Sequence, residues 1–167
     1  MLNAIAVDLS GLKALQAAFA RAPEITIEEL RRAMVEADSL LEREVKDATP
    51  TAAGTLRGSV THTEEVSETG VIGMTFSPLK YAEAVELGTK PHFPPIDALV
   101  DWVVQKLGVP EKRARSVAFL VARKISRSGT PAHGMFQRTL AWQKSQVESI
   151  FNRAVERITE RLAGGAA

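Results

Sequence analysis

The chain has 167 residues, a size typical of one domain that buries a core without disulfide bonds or a structural metal. It contains no cysteine, which excludes disulfide, thiolate and zinc–thiolate chemistry. The formal net charge is +1, and the apolar runs are short and interrupted by charge, with Asp8 inside the first of them. We therefore expect a soluble chain with neither a membrane span nor a secretion signal.

The first third of the chain predicts a short strand and two helices. Residues 4–9 form an apolar segment of strand type, and residues 10–22 place apolar side chains at the three- and four-residue spacing of a helix. Pro23 suits a first helical turn and precedes several glutamates, so it predicts the start of a second helix. That helix is expected to end at Thr49 and Pro50.

An antiparallel hairpin is predicted next, over about residues 58–77. Pro50, Gly54 and Gly58 disfavour helix, so the segment that leads into the hairpin is predicted to be extended. The residues after Gly58 then alternate as two strands joined by a polar turn. The second strand places three apolar side chains on one face: Ile72, Met74 and Phe76. Because two strands alone rarely persist in water, a helix, a third strand or a neighbouring subunit must cover this ribbon.

Four helices are predicted in the second half of the chain. They cover residues 81–87, 95–107, 110–128 and about 133–162. Gly88 and Gly108 are expected to end the first two of them. At roughly 45 Å the last helix is longer than a small domain requires, so part of it should pack on another chain or break. Residues 163–167 are predicted to form a frayed tail.

Charge is distributed unevenly along the sequence. Residues 24–47 carry eight acidic and four basic side chains, whereas residues 111–127 carry six bases and the single acid Glu111. The six bases are Lys112, Arg113, Arg115, Arg123, Lys124 and Arg127. This asymmetry is typical of a basic face near nucleic acid or of head-to-tail contacts between copies, although an ordinary solvated helix face also produces it.

The sequence predicts no catalytic, metal or cofactor site. None of the three histidines (His62, His92 and His133) has a partner at metal-ligand spacing, and no serine lies in a nucleophile-elbow motif. The glycines are isolated and do not form a phosphate-binding loop. Glu83 and Glu86 share a helix face, but nothing around them predicts a raised pKa, so a salt bridge or a helix-end contact is the simpler role.

Two loops carry the same Gly-Thr pair, each followed within four residues by a histidine. They contain Gly88 and Thr89 in the first loop, and Gly129 and Thr130 in the second. Glycine allows the backbone to turn where a Cβ atom would clash, and Pro131 favours an extended Thr130. We therefore interpret the two loops as structural joints that position neighbouring helices, with the histidines as bystanders.

The order of three segments resembles the tail-component family of lambdoid and related phages, which includes proteins similar to minor tail protein Z. The matching residues are Thr49, Pro50, Gly54, Leu56, Arg57 and Ser59, then Tyr81, Ala82, Glu86, Gly88 and Thr89, then Gly129, Thr130, Pro131 and Phe136. The resemblance extends over about residues 10–142. This chain departs from the family pattern at Gly134 and Met135, where members often have a Pro-Phe pair.

The resemblance implies a small α+β protein without enzymatic activity or cofactor. With the predicted elements, this means a single domain over residues 1–167 in which long N- and C-terminal helices and short helices pack on a small antiparallel sheet. Such proteins form a ring, which we expect to be a hexamer, between the tail terminator and the head-completion or connector proteins. The protein would be assembled in the host cytoplasm and located in the virion, without membrane contact.

The charge asymmetry has two interpretations within such a ring. The acidic segment 24–47 and the basic segment 111–127 of neighbouring copies are complementary in sign, so we expect most of the bases to serve subunit contacts. Non-specific contact between the remaining bases and DNA in the channel is compatible with this. A DNA-associated oligomeric assembly protein that uses residues 111–127 is the alternative function, and a small phage hydrolase is a further one.

Overall fold

Six helices and two strands follow one another in the part of the chain that the computed structural model describes, residues 10–50 and 54–164, with side chains from residue 20 onward. The elements are α1 Ser10–Ala48, α2 Thr55–Ser59, β1 Thr61–Ser67, β2 Gly70–Phe76, α3 Ala82–Leu87, α4 Asp97–Leu107, α5 Glu111–Ser128 and α6 Met135–Gly164. The long terminal helices and the two-stranded antiparallel sheet confirm the predicted α+β class and the hairpin. The strand predicted at residues 4–9 lies outside the described residues.

Three of the predicted boundaries are wrong. Helix α1 continues through Pro23. A proline inside a helix removes one hydrogen bond and costs about 3 kcal/mol, and the packing of the later turns of α1 can offset this cost. The segment before the hairpin is not wholly extended, since Gly54 (φ 76°) precedes the single turn α2, which buries Leu56. Of the predicted tail, residues 163 and 164 belong to α6.

The described chain divides into two compact units. Unit 1 comprises the described residues of Met1–Leu40, His62–Met74 and Lys144–Ala167. Its core is formed between α1 and α6 by Ala33, Ala37 and Leu40 on one side and Ile150 and Ala154 on the other, with Val147 and Phe151 packed against them. Small alanines at four-residue spacing allow the two helix backbones to approach closely.

The β-ribbon formed by β1 and β2 packs on α1 through the side of β2 that contains Gly73. This is the side opposite to the apolar face predicted from the sequence. A Cβ atom at Gly73 would overlap Asp38 Oδ2 and lie 2.6 Å from Met34 Sδ, so this side of β2 rests directly on α1. Because side chains alternate along a strand, Ile72, Met74 and Phe76 point away from α1 and are exposed. The apolar face of the hairpin therefore faces solvent.

Unit 2 comprises Leu41–Thr61 and Thr75–Gln143 and contains two apolar clusters. The first joins Val45, Leu56, Val60, Ala82 and Met135, and the second joins Val103 of α4 to Ala114 and Ala118 of α5. Helix α4 ends as predicted at Gly108, whose left-handed backbone (φ 63°) lets its N–H donate to the Val104 carbonyl at 3.1 Å. Helices α4 and α5 thus form a packed pair with an outer face in solvent.

Candidate functional site: a loop clasp, a basic helix and an apolar ribbon face

The two Gly-Thr loops meet at one place in unit 2. Thr89 and Thr130 form an antiparallel bridge in which each backbone N–H donates to the other residue's carbonyl, at 3.0 and 3.2 Å. Their hydroxyl oxygens lie 3.0 Å apart. The two motifs therefore converge, and we call residues 85–89 together with residues 129–137 the loop clasp.

Both glycines of the loop clasp are required by backbone conformation and by space. Gly88 and Gly129 have φ angles of 72° and 67°, in the region that L-amino acids rarely adopt. A Cβ atom at Gly88 would lie 2.5 Å from the Thr130 carbonyl oxygen, and one at Gly129 would overlap the Thr89 carbonyl oxygen. The atoms in the way belong to backbone that cannot move without breaking the bridge. This geometry supports the interpretation of the two loops as joints.

The last turn of α3 provides the acceptors that define the start of α6. The Glu86 carboxylate accepts the N–H groups of Phe136 and Gln137 at 2.9 and 3.0 Å. The carbonyls of Val85 and Glu86 accept the N–H groups of His133 and Gly134 at 2.9 and 3.0 Å. A carboxylate at a helix N-terminus satisfies free N–H groups and interacts favourably with the helix dipole. Of the two roles predicted for Glu83 and Glu86, a salt bridge or a helix-end contact, Glu86 has the second.

The other residues of the predicted joint have smaller roles in the clasp. Tyr81 immediately precedes α3, and its carbonyl accepts the Val85 N–H at 3.1 Å while its side chain is exposed. Pro131 is exposed, and Phe136 is half-buried against the first apolar cluster of unit 2. Sequence reasoning missed Met135, which is completely buried and whose sulfur accepts the Thr49 hydroxyl at 3.4 Å.

The histidines do not form a chemical centre. His92 is exposed, with Nδ1 2.9 Å from the Lys90 carbonyl oxygen. His133 is half-buried, and its Nδ1 has no hydrogen-bond partner among the described atoms. His62 lies in unit 1, with Nε2 3.5 Å from Glu64 Oε1. Within residues 20–50 and 54–164, no group of three histidine or acidic side chains has the arrangement of a metal site.

The acidic segment 24–47 is largely neutralised within its own chain. Glu29 is 1% exposed and binds Arg157 at 2.7 Å, Arg161 at 2.9 Å and Arg32 at 3.2 Å. The hydrogen bond from Arg157 is the main reason that the pKa of Glu29 lies below its ordinary value, although burial opposes this. Other acids of the segment form ion pairs too: Glu28 with Arg161 and Arg32, Glu36 with Arg153, Glu42 with Lys46, Glu44 with Arg43, and Asp47 with Arg57.

The basic side chains of α5 remain largely without such partners. Their six positions are all exposed: Lys112, Arg113, Arg115, Arg123, Lys124 and Arg127. Arg115 pairs with Asp97, and no described carboxylate forms an ion pair with the other five. The buried side of the helix consists of Ala114, Ala118 and Ala122. The predicted complementarity between residues 24–47 and 111–127 of neighbouring copies remains a prediction, in which most of the acids would have to exchange a cation of their own chain for one of the neighbour.

Apolar side chains lie among the bases on the outer side of α5. Phe119 and Leu120 are 44% and 54% exposed, and the Phe119 ring contacts Phe93 with centroids 6.1 Å apart. We call Phe119, Leu120 and the five bases without an ion pair the basic face. A simple helical pattern assigns large apolar residues to the core, so the sequence did not identify these two.

The side of the ribbon that points away from α1 combines exposed apolar side chains with negative charge, in contrast to the positive charge of the basic face. Ile72 and Met74 are 61% and 44% exposed, and Glu65 and Glu68 are exposed beside them on the same hairpin. Neither glutamate forms an ion pair with a described residue. We call Glu65, Glu68, Ile72 and Met74 the ribbon face.

Compared with family models, curated proteins and solved structures, the chain shows no significant match to any of them. Among the described residues, none of the helices combines the length and the apolar character needed to cross a membrane.

Proposed function

We propose that this chain is a non-enzymatic structural protein of a phage virion, a tail-completion or neck component. In this proposal it forms a ring, a hexamer, that joins the tail terminator at the head-proximal end of the tail to the head-completion or connector proteins. It acts in the virion after assembly in the host cytoplasm and requires no cofactor. The proposal rests on the resemblance of three ordered segments to the tail-component family.

The loop clasp is the observation that carries the non-enzymatic part of this proposal. In the loop clasp, the backbones of Thr89 and Thr130 are hydrogen-bonded to each other, and the Glu86 carboxylate accepts hydrogen bonds from two backbone N–H groups. A general acid or base needs a carboxylate that can exchange a proton with a substrate, and a carboxylate that caps a helix is poorly placed to do so. The contacts of Glu86, Thr89 and Thr130 therefore support a structural role for this part of the resemblance.

A stop codon in the reading frame tests the proposal directly. We expect full heads and separate tails in electron micrographs, with joined particles restored when purified protein is added. His92→Ala protein should restore joining, because that side chain is exposed and contacts only a neighbouring carbonyl. Gly129→Val protein should not, because a branched side chain cannot occupy the position facing the Thr89 carbonyl.

Two results would contradict the proposal. Normal joined particles in the absence of the protein would remove the tail-completion role. Restoration by Gly129→Val but not by His92→Ala would show that the loops contain a chemical site instead of a joint.

A DNA-associated assembly protein is the second candidate, and the five unpaired bases of α5 favour it. Each phosphate contact made by such a helix releases counterions, so binding to duplex DNA should weaken steeply with salt. We expect the bases to serve subunit contacts instead. Substitution of Arg113, Arg115, Arg123 and Lys124 together by glutamate should then leave few complete particles. Normal particles with altered DNA retention or ejection would assign these bases to the channel.

A further inference from the structure

We propose that the ribbon face of one copy docks on the basic face of α5 in a second copy, as the repeating contact of a head-to-tail assembly. This inference rests on the proposed ring, and it names the two surfaces that would build it. Both surfaces combine exposed apolar side chains with charges that have no ion-pair partner among the described residues, and their charges are opposite in sign.

The ribbon face has the composition of a surface that is covered in an assembly. Ile72 and Met74 point away from α1 because Gly73 between them points toward it. A two-stranded ribbon needs a further strand or a helix to be stable in water, and α1 provides that helix on the side that contains Gly73. The other side leaves Ile72 and Met74 exposed next to an unpaired strand edge, and exposed apolar side chains of this kind are typical of interaction sites.

Charge complementarity indicates that the basic face of a second copy covers the ribbon face. Glu65 and Glu68 flank the apolar side chains of the ribbon, while Arg123 and Arg127 flank Leu120 on α5. An apolar centre with charged groups around it is the usual anatomy of a protein–protein interface. Residues 24–47 cannot serve as the acidic surface equally well, because their carboxylates are engaged by Arg157, Arg161 and other cations of the chain.

The two surfaces also match in length. A seven-residue strand is about 23 Å long, and the 18 residues of α5 extend about 27 Å. A ribbon lying along the helix would therefore contact it over most of its length. Duplex DNA would use the bases but would leave Phe119, Leu120 and the apolar side chains of the ribbon uncovered.

This contact joins two different surfaces, which determines the form of the assembly. After two copies pair, the pair still has one free ribbon face and one free basic face, so the contact propagates and closes only as a ring. Because the ribbon is only about 23 Å long, we expect the contact to bury less than the roughly 800 Å² per partner of a typical stable interface. Isolated pairs should therefore dissociate easily. Closure of a ring adds one more contact without the entropy cost of binding a further copy.

Charge reversal in two matched variants tests the contact. Glu65→Lys with Glu68→Lys reverses the charges of the ribbon face, and Arg123→Glu with Arg127→Glu reverses the two bases that we place opposite them. Sedimentation velocity at low salt should show oligomers for the wild type and a loss of association for each reversed variant. An equimolar mixture of the two variants should associate again, because each reversed ribbon then meets the two reversed positions of a helix, and so should a chain with all four substitutions.

Two controls accompany this experiment. Glu156→Lys with Glu160→Lys makes the same charge change at exposed positions of α6, outside both surfaces, and should leave association unchanged. Circular dichroism melting should show that all variants fold. If a reversed variant misfolds, a bismaleimide cross-linker can join Ile72→Cys protein to Leu120→Cys protein, since the natural chain has no cysteine. Leu120→Cys should cross-link well above Val155→Cys, which is equally exposed on α6.

Several results would overturn the inference. Wild-type oligomers that are insensitive to ribbon reversal would place the contact elsewhere while leaving the proposed ring intact. Reversed variants that fail to restore each other, combined with salt-dependent binding of a short DNA duplex by the wild type, would assign the basic face to nucleic acid. A wild type that stays monomeric at all concentrations and does not bind isolated tails would remove the ring together with the contact.

Discussion

At Gly88 and Gly129 a positive φ angle coincides with a backbone atom in the place where a side chain would begin. These two causes of glycine preference are separable in this chain. Gly108 has a φ angle of 63° but open space around it, whereas Gly129 has both constraints. The comparison distinguishes backbone strain from steric overlap at the loop clasp.

Gly129→Ala should destabilise the protein much more than Gly108→Ala. The left-handed backbone alone costs about 1 kcal/mol for alanine, whereas the additional overlap with the Thr89 carbonyl should raise the cost to about 3 kcal/mol or more. Urea unfolding monitored by circular dichroism measures both values. His92→Ala, at an exposed position, should change the free energy of unfolding by less than about 0.5 kcal/mol. Equal losses at Gly129 and Gly108 would show that the bridge does not constrain the loop.

Glu86→Ala should cost about 2 kcal/mol, because it removes two charge-assisted hydrogen bonds and an anion at the start of α6. Glu83→Ala in the same helix is the matched control, since Glu83 is exposed and caps no helix. Its effect should stay within about 0.5 kcal/mol. Thermal or urea unfolding of the two variants makes the comparison. Equal effects would mean that the capping contact is too weak to define the helix start.

At the scale of elements, α1 is held to its neighbours by two different means. Toward α6 it presents small apolar residues with Glu29 beyond them, and toward the ribbon it presents Asp38 and Met34 under Gly73. The ion pairs run in opposite order along α1 and α6, from Glu29 with Arg157 to Glu36 with Arg153, so the two helices are antiparallel. Both contacts involve charged groups that sequence periodicity alone assigns to solvent.

The Glu29 cluster should make stability depend on pH in acid. Because the pKa of Glu29 is lowered in the folded state, its contribution is fully present above the ordinary value of 4.5 and is lost as pH falls through the folded value. Glu29→Gln should therefore be less stable than the wild type at neutral pH, by about 2 kcal/mol, with the difference shrinking below pH 4.5. Melting temperatures of both proteins from neutral to acidic pH provide the test. A difference that does not change with pH would exclude the ionic contribution.

The ribbon should be sensitive to the smallest added side chain on its inner side. Gly73→Ala places a methyl group against the Asp38 carboxylate and Met34 and should cost about 2 kcal/mol, because the buried Asp38 and the half-buried Met34 must shift. Gly70→Ala on the same strand meets nothing within 4 Å and serves as the control. Hydrogen exchange of β1 and β2 amides would locate the effect. If the exchange rates of these amides are the same in Gly73→Ala as in the wild type, close packing of β2 on α1 is not required for the stability of the ribbon.

At the scale of the whole molecule, the charges separate into an internally paired set and an unpaired set. The acids of residues 24–47 bind cations within their own units, and the bases of α5 and the acids of the ribbon face remain available. Attraction between exposed charges is screened over about 10 Å at 0.1 M salt and about 3 Å at 1 M. Salt should therefore affect association between copies more than folding of one copy.

Light scattering should show smaller assemblies at high salt than at low salt. The urea midpoint of the dissociated chain should change much less over the same range, because the carboxylate of Glu29 is buried and its ion pairs are screened less than fully exposed ones. Phe119→Ala with Leu120→Ala removes the apolar part of the basic face and should weaken association at both salt concentrations. Assemblies that grow with salt would contradict the electrostatic part of the proposed contact.

The sequence by itself determined the elements whose signals are local. Gly108 after a regular apolar stripe predicts the end of α4, and alternation on both sides of a polar turn predicts the hairpin. For Glu83 and Glu86 the sequence left a salt bridge or a helix-end contact open, and the structure shows the helix-end contact for Glu86. The single-domain organisation of the protein over residues 1–167 and its location in a virion remain predictions.

Only the tertiary structure decided which surfaces these elements present. Periodicity assigns Ile72 and Met74 to a covered face, yet α1 packs on the side of Gly73, because a glycine lets the backbone approach a buried carboxylate. The meeting of Thr89 and Thr130, 41 residues apart, depends on how α3, α5 and α6 pack, and spacing in the chain does not encode it. The pairing of Glu28, Glu29 and Glu36 similarly depends on which bases α6 brings near them, so the formal charge of residues 24–47 does not show how many of its acids remain without an ion pair.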